Sequence, residues 1–215
     1  MTETQLTVPT PRGEALVALD RGRRRARGLL VLGHGAAGGV DAVDLVAVRD
    51  AAVRADFAVA RVTQPYRVVG GRRPPPAAPV LDEAWVAVVT AVRSRFAAST
   101  PLIVGGRSSG ARVACRTARQ LGAAGVLALA FPLHPPGRPE VTRSDELDPG
   151  VTTLVINGDR DPFGVPAPEG LIRVVVRPGE RHDLKKDPAA VADAALDWLT
   201  DLISTSPRAQ QRRTS

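Results

Sequence analysis

Three side chains that could together perform nucleophilic catalysis lie in separate loops, each shortly after an apolar run. Ser108 lies in the segment GRSSG, Asp161 in NGDRDPFG and His182 in GERHDL. A serine hydroxyl becomes a good nucleophile when a base takes its proton, and histidine has the basicity for this at neutral pH. A carboxylate then fixes the tautomer of the imidazole and stabilises its cation. These residue types predict acyl-transfer chemistry with Ser108 as nucleophile, His182 as base and Asp161 as acid.

The residues around Ser108 predict the local structure that such a nucleophile requires. Residues 102–104 form a short apolar run typical of a buried parallel strand, and from Ala111 the apolar spacing becomes helical. The glycines of G-x-S-x-G permit a turn so tight that larger side chains would collide with the neighbouring strand and helix. A strand, this motif and a helix in succession hold the serine at a sharp turn at the end of the strand.

The acid and the base each have competitors in the sequence. Asp159 lies two residues before Asp161 and could instead hold the turn through hydrogen bonds to the backbone, so Asp161 is favoured as the acid. His34 follows a strand within a glycine-rich turn and is expected to be structural or to lie at the edge of the site. His134 lies in a proline-rich segment and is expected to be a surface residue, with substrate contact as the alternative. His182 therefore remains as the base.

Acyl transfer also requires donors for the oxyanion and a pocket for the substrate. The backbone N–H of Ser109 follows the nucleophile and supplies one donor, and that of Ala36, in the loop GHGAAGG, is expected to supply the other. The loops 64–79 and 131–150 are expected to shape the pocket. Four side chains are predicted to line it: His34, Arg67, Arg107 and His134. Arginines at 67, 72 and 73 could favour acidic acyl groups.

The loop after residues 29–32 also permits a competing interpretation as a dinucleotide-binding turn. Gly33, Gly35 and Gly38 spell G-x-G-x-x-G between a strand and a helix. That site requires an acidic residue at the end of the next strand to hold the ribose, whereas the sequence has Arg61 there, which could instead mimic a phosphate-binding arginine. The segment GGRSSGAR lacks the G-K-[ST] ending of a phosphate loop, and metal ligands at suitable spacing are absent. We therefore predict no cofactor and no metal.

The elements that must position these residues alternate between strand and helix. Such alternation predicts a mostly parallel central sheet with helices on both faces, preceded by an antiparallel pair of N-terminal strands. Asp41 is expected to cap the first helix. Active sites in such sheets lie at the carboxyl ends of the strands, where all the residues above are placed. The predicted strands are 5–8, 15–19, 28–32, 57–62, 102–104, 126–130, 151–156 and 172–176.

Composition sets the class of protein. The chain has 215 residues, with 44% hydrophobic and 24% charged, and predicts a single globular domain over residues 1–203 with a polar, disordered tail over 204–215. A single cysteine and the lack of a signal peptide or membrane-spanning run predict a cytoplasmic protein with no membrane partner. The net charge is +7, but the arginines are dispersed and only 3% of residues are aromatic, so the basic run 21–27 predicts a solvated surface and no nucleic-acid partner. The oligomeric state stays open.

Five segments together carry a family resemblance: LVLGHGAAGG, GGRSSGARVA, FPLHPPGRP, NGDRDPFG and GERHDL. From residue 28 to 203 the chain resembles the α/β-hydrolase superfamily, in which the order serine, acid, histidine is also found. More narrowly, it is similar to the small dienelactone-hydrolase-like branch, whose domain also occurs in testis-expressed protein thirty and in a subunit of a chromatin acetyltransferase complex.

The resemblance implies an α/β-hydrolase fold without a helical cap. It also implies Ser108, Asp161 and His182 as the catalytic residues, with oxyanion donors at Ser109 and Ala36, and a small-molecule ester or acyl substrate. Dienelactone hydrolases have a cysteine where this chain has Ser108, so their lactone chemistry is not implied. The alternative is an interaction module that keeps the fold without the chemistry. The presence of all three catalytic residue types in order favours a serine hydrolase of the esterase, thioesterase or lactonase type.

Overall fold

The apolar runs of the sequence form one eight-stranded sheet. The computed structural model describes residues 2–70 and 73–205. The strands are β1 (Thr2–Thr10), β2 (Gly13–Arg21), β3 (Leu29–Gly33), β4 (Ala58–Thr63), β5 (Leu102–Arg107), β6 (Gly125–Leu129), β7 (Thr153–Gly158) and β8 (Ile172–Arg177). The helices are α1 (Val43–Arg54), α2 (Pro65–Val68), α3 (Ala78–Arg93), α4 (Ser109–Thr117) and α5 (Pro188–Thr205), with a 3₁₀ turn at Ser144–Leu147.

The sheet is mixed, and its parallel part holds the site. The strand order is β1-β2-β4-β3-β5-β6-β7-β8. The strands β1, β2 and β4 pair antiparallel, and all other neighbours are parallel. The predicted parallel sheet with an antiparallel N-terminal edge is therefore confirmed. Because the parallel strands share one direction, the loops after β3, β5, β7 and β8 meet at the same edge of the sheet.

Helices cover both faces of the sheet, because the central strands are apolar on both sides. Every residue of β3 and β6 is buried. One face packs against α1 and α5, with Leu30, Leu45 and Trp198 in the same apolar cluster. The other face packs against α3 and α4, where Trp85 joins the cluster formed by residues such as Val31.

Three local features differ from the sequence-based expectations. Asp41 does not cap α1, which begins after Ala42 without a side-chain cap; the Asp41 carboxylate instead accepts a hydrogen bond from Arg61 at 2.9 Å. The predicted loop 64–79 contains the single turn α2, because a proline fits the first turn of a helix without losing a hydrogen bond. The helix α5 continues to Thr205, past the predicted domain end at residue 203.

The predicted tail otherwise falls on residues 206–215, which lie outside the described residues. Within residues 2–70 and 73–205, no helix is both long enough and apolar enough to cross a bilayer.

Candidate functional site

Ser108 occupies a strained position between β5 and α4. Its backbone angles are φ 53° and ψ −110°, a conformation that few residues other than glycine adopt. The turn is closed by Gly106 and Gly110, where a Cβ atom would collide with the carbonyl oxygen of Gly33 on β3. The Ser108 N–H donates to the carbonyl of Leu129 on β6 at 2.9 Å, which fixes the turn to the next strand. Strain of this kind persists only where the surroundings determine the backbone.

The side chains of Ser108, His182 and Asp161 form a continuous hydrogen-bonded chain. His182 Nε2 lies 2.9 Å from Ser108 Oγ, and His182 Nδ1 lies 2.8 Å from Asp161 Oδ2. The Asp161 carboxylate is fully buried, and the His182 side chain is 20% exposed. Since an ionised carboxylate only accepts hydrogen bonds, Nδ1 carries the proton and Nε2 is left to accept one from the serine hydroxyl.

The structure separates the two candidate acids. Asp161 Oδ1 accepts from the Phe163 N–H at 2.9 Å, which aims the other oxygen at His182. The Phe163 ring meets the imidazole edge-on at 4.5 Å between centroids. Asp159 instead accepts from the N–H of Gly179 at 2.7 Å and makes no contact with His182 in the described part of the chain. Asp159 therefore joins the loop after β7 to the loop after β8.

The loop that carries His182 is fixed by two side chains. Glu180 is 2% exposed, and its carboxylate accepts from the N–H groups of Asp187 at 2.6 Å and Lys186 at 3.1 Å. Arg107, the residue before the nucleophile, donates from Nη2 to the carbonyl of His182 at 3.0 Å. The loop is thus joined both to the start of α5 and to the end of β5.

Arg107 in turn pairs with Asp44, in the first turn of α1. Arg107 Nε lies 3.2 Å from Asp44 Oδ2, and the Asp44 side chain is fully buried. Burial raises the pKa of Asp44 to about 6, although the nearby guanidinium of Arg107 acts to lower it. The pair connects the helix after the β3 loop with the loop that carries His182.

The loop after β3 is held by His34, which is 3% exposed. The Gln64 N–H donates to His34 Nε2 at 3.1 Å, so the other ring nitrogen carries the proton and donates to the Gly35 carbonyl at 2.8 Å. Burial lowers the pKa of His34, which favours this neutral form. The Gly35 carbonyl also accepts from the Gly38 N–H at 3.2 Å. The Gly35 C=O and the Ala36 N–H belong to the same trans peptide and point in opposite directions. The two hydrogen bonds that hold the Gly35 carbonyl therefore also fix the direction of the Ala36 N–H.

A cavity of about 450 Å³ lies beside Ser108. Both predicted oxyanion donors, Ala36 and Ser109, line it, as does Arg107. Its walls also include Arg112, Arg143, Pro75, Pro132, Pro136 and Phe163. No helical cap covers this opening within the described ranges.

Three of the four side chains predicted to line the pocket lie outside the cavity walls. His34 is buried against the backbone of Gln64, Arg67 is on α2, and neither lines the cavity. His134 does not line it either: its Nδ1 lies 2.9 Å from the Val141 carbonyl, and its ring packs against Gly164. Arg73 is also absent from the walls, and Arg72 lies outside the described residues.

Arg112 and Arg143 are the charged wall residues that the sequence analysis did not name, although Arg143 lies in the segment 131–150 that was expected to shape the pocket. Arg112 follows the nucleophile by four residues, so helical periodicity places it one turn into α4, on the side opposite the apolar stripe. Arg143 lies in the irregular segment after β6, where no periodicity reveals a direction.

The arginine that could have bound the phosphate of a dinucleotide cofactor is engaged with carboxylates instead. Arg61, the possible phosphate ligand, is 3% exposed and bonds to the carboxylates of Glu3 and Asp41 at 2.9 Å. Within residues 2–70 and 73–205, no group of three or more histidine, cysteine, aspartate or glutamate side chains could hold a metal ion.

Comparisons with known proteins agree with this architecture. A family model described as an alpha/beta hydrolase domain matches residues 26–171. A lidless serine hydrolase structure from Xanthomonas campestris has a TM-score of 0.78 at 21% identity, covering 96% of this chain and 98% of that one. A serine hydrolase homologue from Coxiella burnetii has a TM-score of 0.74 at 16% identity, covering 93% and 98%. An esterase from Pyrobaculum calidifontis has a TM-score of 0.66 at 17% identity, covering 93% and 85%. No curated protein sequence gives a significant match.

Proposed function

The chain belongs to the α/β-hydrolase family, and we propose that it is a serine hydrolase that cleaves carboxylic esters or related acyl compounds through an acyl-enzyme. The observation that carries this proposal is the chain of contacts from Ser108 Oγ to His182 Nε2 at 2.9 Å and from His182 Nδ1 to Asp161 Oδ2 at 2.8 Å. A nucleophile, a base and an orienting carboxylate at these distances are the requirement for serine catalysis.

In the first half-reaction, Ser108 Oγ attacks the acyl carbon while His182 Nε2 takes the hydroxyl proton. The resulting imidazolium is stabilised by Asp161, whose carboxylate is already in contact with Nδ1. The tetrahedral intermediate then expels the alcohol oxygen, which receives the proton from Nε2, and the acyl group stays on Ser108. In the second half-reaction, Nε2 takes a proton from water as the water oxygen attacks the acyl carbon. The tetrahedral intermediate then breaks its bond to Ser108 Oγ, which takes the proton back from Nε2 as the acid is released.

The oxyanion of both intermediates would be stabilised by the backbone N–H groups of Ser109 and Ala36. Both residues line the cavity, and Ser109 is the first residue of α4, where the N–H groups are free of helical partners. Removing one such donor typically costs on the order of 10² to 10³ in turnover, so the position of the Ala36 peptide matters for the rate.

The comparisons support the hydrolase class without fixing the substrate. The similar structure from Xanthomonas campestris is described as a serine hydrolase without a lid, and that from Pyrobaculum calidifontis as an esterase. The choice between esterase, thioesterase and lactonase, the dienelactone-hydrolase-like branch and the cytoplasmic location stay predictions from the sequence.

A fluorophosphonate probe tests the proposal directly, because it reacts with an activated serine. We expect the wild-type protein to be labelled and Ser108→Ala to lose both labelling and hydrolysis of nitrophenyl esters. The matched control is Ser109→Ala, which removes the neighbouring hydroxyl but keeps the backbone N–H, and it should still be labelled. Labelling that persists in Ser108→Ala, or a folded wild-type protein that is never labelled, would contradict the proposal. The second result would favour an interaction module.

A further inference from the structure

The wall of the cavity beside Ser108 is strongly basic. Three arginines, Arg107, Arg112 and Arg143, line the cavity, and no aspartate or glutamate does among the described residues. An arginine beside a cavity can bind an anion more readily when a carboxylate does not already neutralise its charge.

Two of the three guanidinium groups have carboxylate partners behind the wall. Arg107 pairs with the buried Asp44 at 3.2 Å. Arg112 makes a two-bond contact with Glu146 at 2.8 and 2.5 Å, and Arg116 shares the same carboxylate while also binding Asp82. These arginines are held in place by their partners, as paired arginine and carboxylate groups are elsewhere in proteins.

Arg143 has no such partner. Its Nη1 donates to the carbonyl oxygens of Pro132 and His134, both at 3.2 Å, and it makes no ion pair with any residue of 2–70 or 73–205. The residues outside those ranges contain no aspartate or glutamate. Burial lowers the pKa of Arg143, and so does the positive charge of the nearby Arg112, while the Glu146 carboxylate, which is already bound by Arg112 and Arg116, acts to raise it. Arginine nevertheless stays ionised at neutral pH, so a cationic residue lines the cavity without an ion pair among the described residues.

We propose that Arg143 forms an anion subsite, and that the preferred substrates are esters that carry a second, carboxylate group. The proposal rests on the proposed serine hydrolase for its chemistry, but the subsite itself depends only on binding. The two carbonyl contacts orient the guanidinium, while its Nη2 and Nε make no hydrogen bonds to the described residues.

The rest of the wall fits the part of such a substrate that joins its two ends. Pro75, Pro132, Pro136 and Phe163 are apolar and line the same cavity as Ser108 and Arg143. A short chain of methylene groups could pack against them, with the ester at Ser108 and the carboxylate at Arg143. Half-esters of dicarboxylic acids have this chemistry.

The direct experiment compares monoethyl adipate with ethyl hexanoate, which has the same acyl chain length without the charge. We expect wild-type kcat/KM to be higher for the half-ester, and the ratio to fall by about tenfold to a hundredfold in Arg143→Gln, which can keep one carbonyl contact but not the charge. Raising sodium chloride from about 20 mM to about 500 mM should also lower the wild-type ratio. Placing the carboxylate on the alcohol side instead, in 6-acetoxyhexanoate against hexyl acetate, identifies the part of the ester that faces Arg143.

Two controls separate the possible failures. Arg119 is exposed, does not line the cavity and is not among the charges that shift the pKa of Arg143, so Arg119→Gln should keep the wild-type ratio. Calorimetric titration of Ser108→Ala with monoethyl adipate measures binding without chemistry, and binding there would support the subsite even if the wild-type protein proved to have no hydrolase activity. Equal kcat/KM and equal binding for the charged and neutral esters in the wild-type protein would overturn the subsite, and this result remains available even if Arg143→Gln fails to fold.

Discussion

Two histidines lie at the same edge of the sheet, yet their surroundings give them opposite properties. His34 follows β3 and is 3% exposed, and both of its ring nitrogens bond to the backbone. His182 lies in the loop after β8, has a 20% exposed side chain, and contacts a carboxylate on one nitrogen and a serine hydroxyl on the other. Position in the fold therefore does not distinguish a structural histidine from a candidate base.

The partners of the ring nitrogens make that distinction. A backbone N–H that donates to Nε2 occupies the lone pair that would accept a proton, so the His34 ring is held in one neutral tautomer. Around His182 the carboxylate of Asp161 accepts from Nδ1, and the second nitrogen meets a group that can lose a proton. The first environment positions a peptide, and the second supports proton transfer.

The largest effect is expected from removing the Asp161 carboxylate, because His182 has such a partner and His34 does not. Asp161→Asn should lower kcat by on the order of 10⁴, because a neutral amide can donate to Nδ1, which would leave the proton on Nε2, and cannot stabilise the cation. Steady-state hydrolysis of a nitrophenyl ester measures this loss. The control is Asp159→Asn, which removes the contact with Gly179 without touching His182 and should leave kcat within severalfold of the wild-type value. Equal losses in the two variants would contradict the assignment of Asp161.

Most of the architecture was predictable because it depends on local patterns. The α/β-hydrolase fold predicted from the sequence is confirmed, since the buried strands read as apolar runs and the helices as amphipathic stretches. The order of Ser108, Asp161 and His182 along the chain similarly predicted which loops meet. The sequence favoured Asp161 over Asp159 but could not decide between them, because both lie in one short turn and only its conformation determines which carboxylate faces the imidazole.

What could not be predicted depends on contacts between distant residues. Asp41 has the type and position of a helix cap, but Arg61, twenty residues later, takes its carboxylate. Arg143 lies in a segment without periodicity, and Glu146 was not recognised as the partner that Arg112 and Arg116 share. The sequence therefore placed the acidic-group contact at residues 67, 72 and 73, whereas Arg143 is the cavity arginine that makes no ion pair with the described residues.

An intermediate effect is expected at the histidine that has only backbone partners. His34→Ala removes the donor to the Gly35 carbonyl and should lower kcat by about tenfold to a hundredfold, less than the complete loss of an oxyanion donor, with little change in KM. It also leaves the buried Gln64 N–H without a partner, which costs about 1–3 kcal/mol of the free energy of unfolding. His34→Asn can restore the donor near Nδ1 and should recover most of kcat while the stability loss persists. If kcat instead tracks stability in the two variants, His34 does not position the Ala36 peptide.

The smallest effect on activity is expected at Asp44. Its contact with Arg107 joins α1, the helix after the His34 loop, to the residue that holds the His182 loop. Its pKa is raised from 3.8 to about 6, chiefly by burial, so the folded protein holds this proton more tightly than the unfolded chain. Its contribution to the free energy of unfolding is therefore greatest below pH 4 and falls as the pH rises to about 6. Since Asp44→Asn does not titrate, wild-type minus variant stability should fall by about 3 kcal/mol across that window.

Urea unfolding at several values between pH 4 and pH 7 measures this difference, and kcat measured alongside should change less than in His34→Ala. Asp183→Asn is the control, and its difference from the wild type should change little between pH 4 and pH 7. The pKa of Asp183 is lowered by its hydrogen bond with Lys185, so the stability it provides is retained above its ordinary value and lost only as the pH falls below it. A wild-type minus Asp44→Asn difference that stays constant with pH would mean that Asp44 does not titrate in this range. The contact between Asp44 and Arg107 would then not depend on the protonation of Asp44 over the same range.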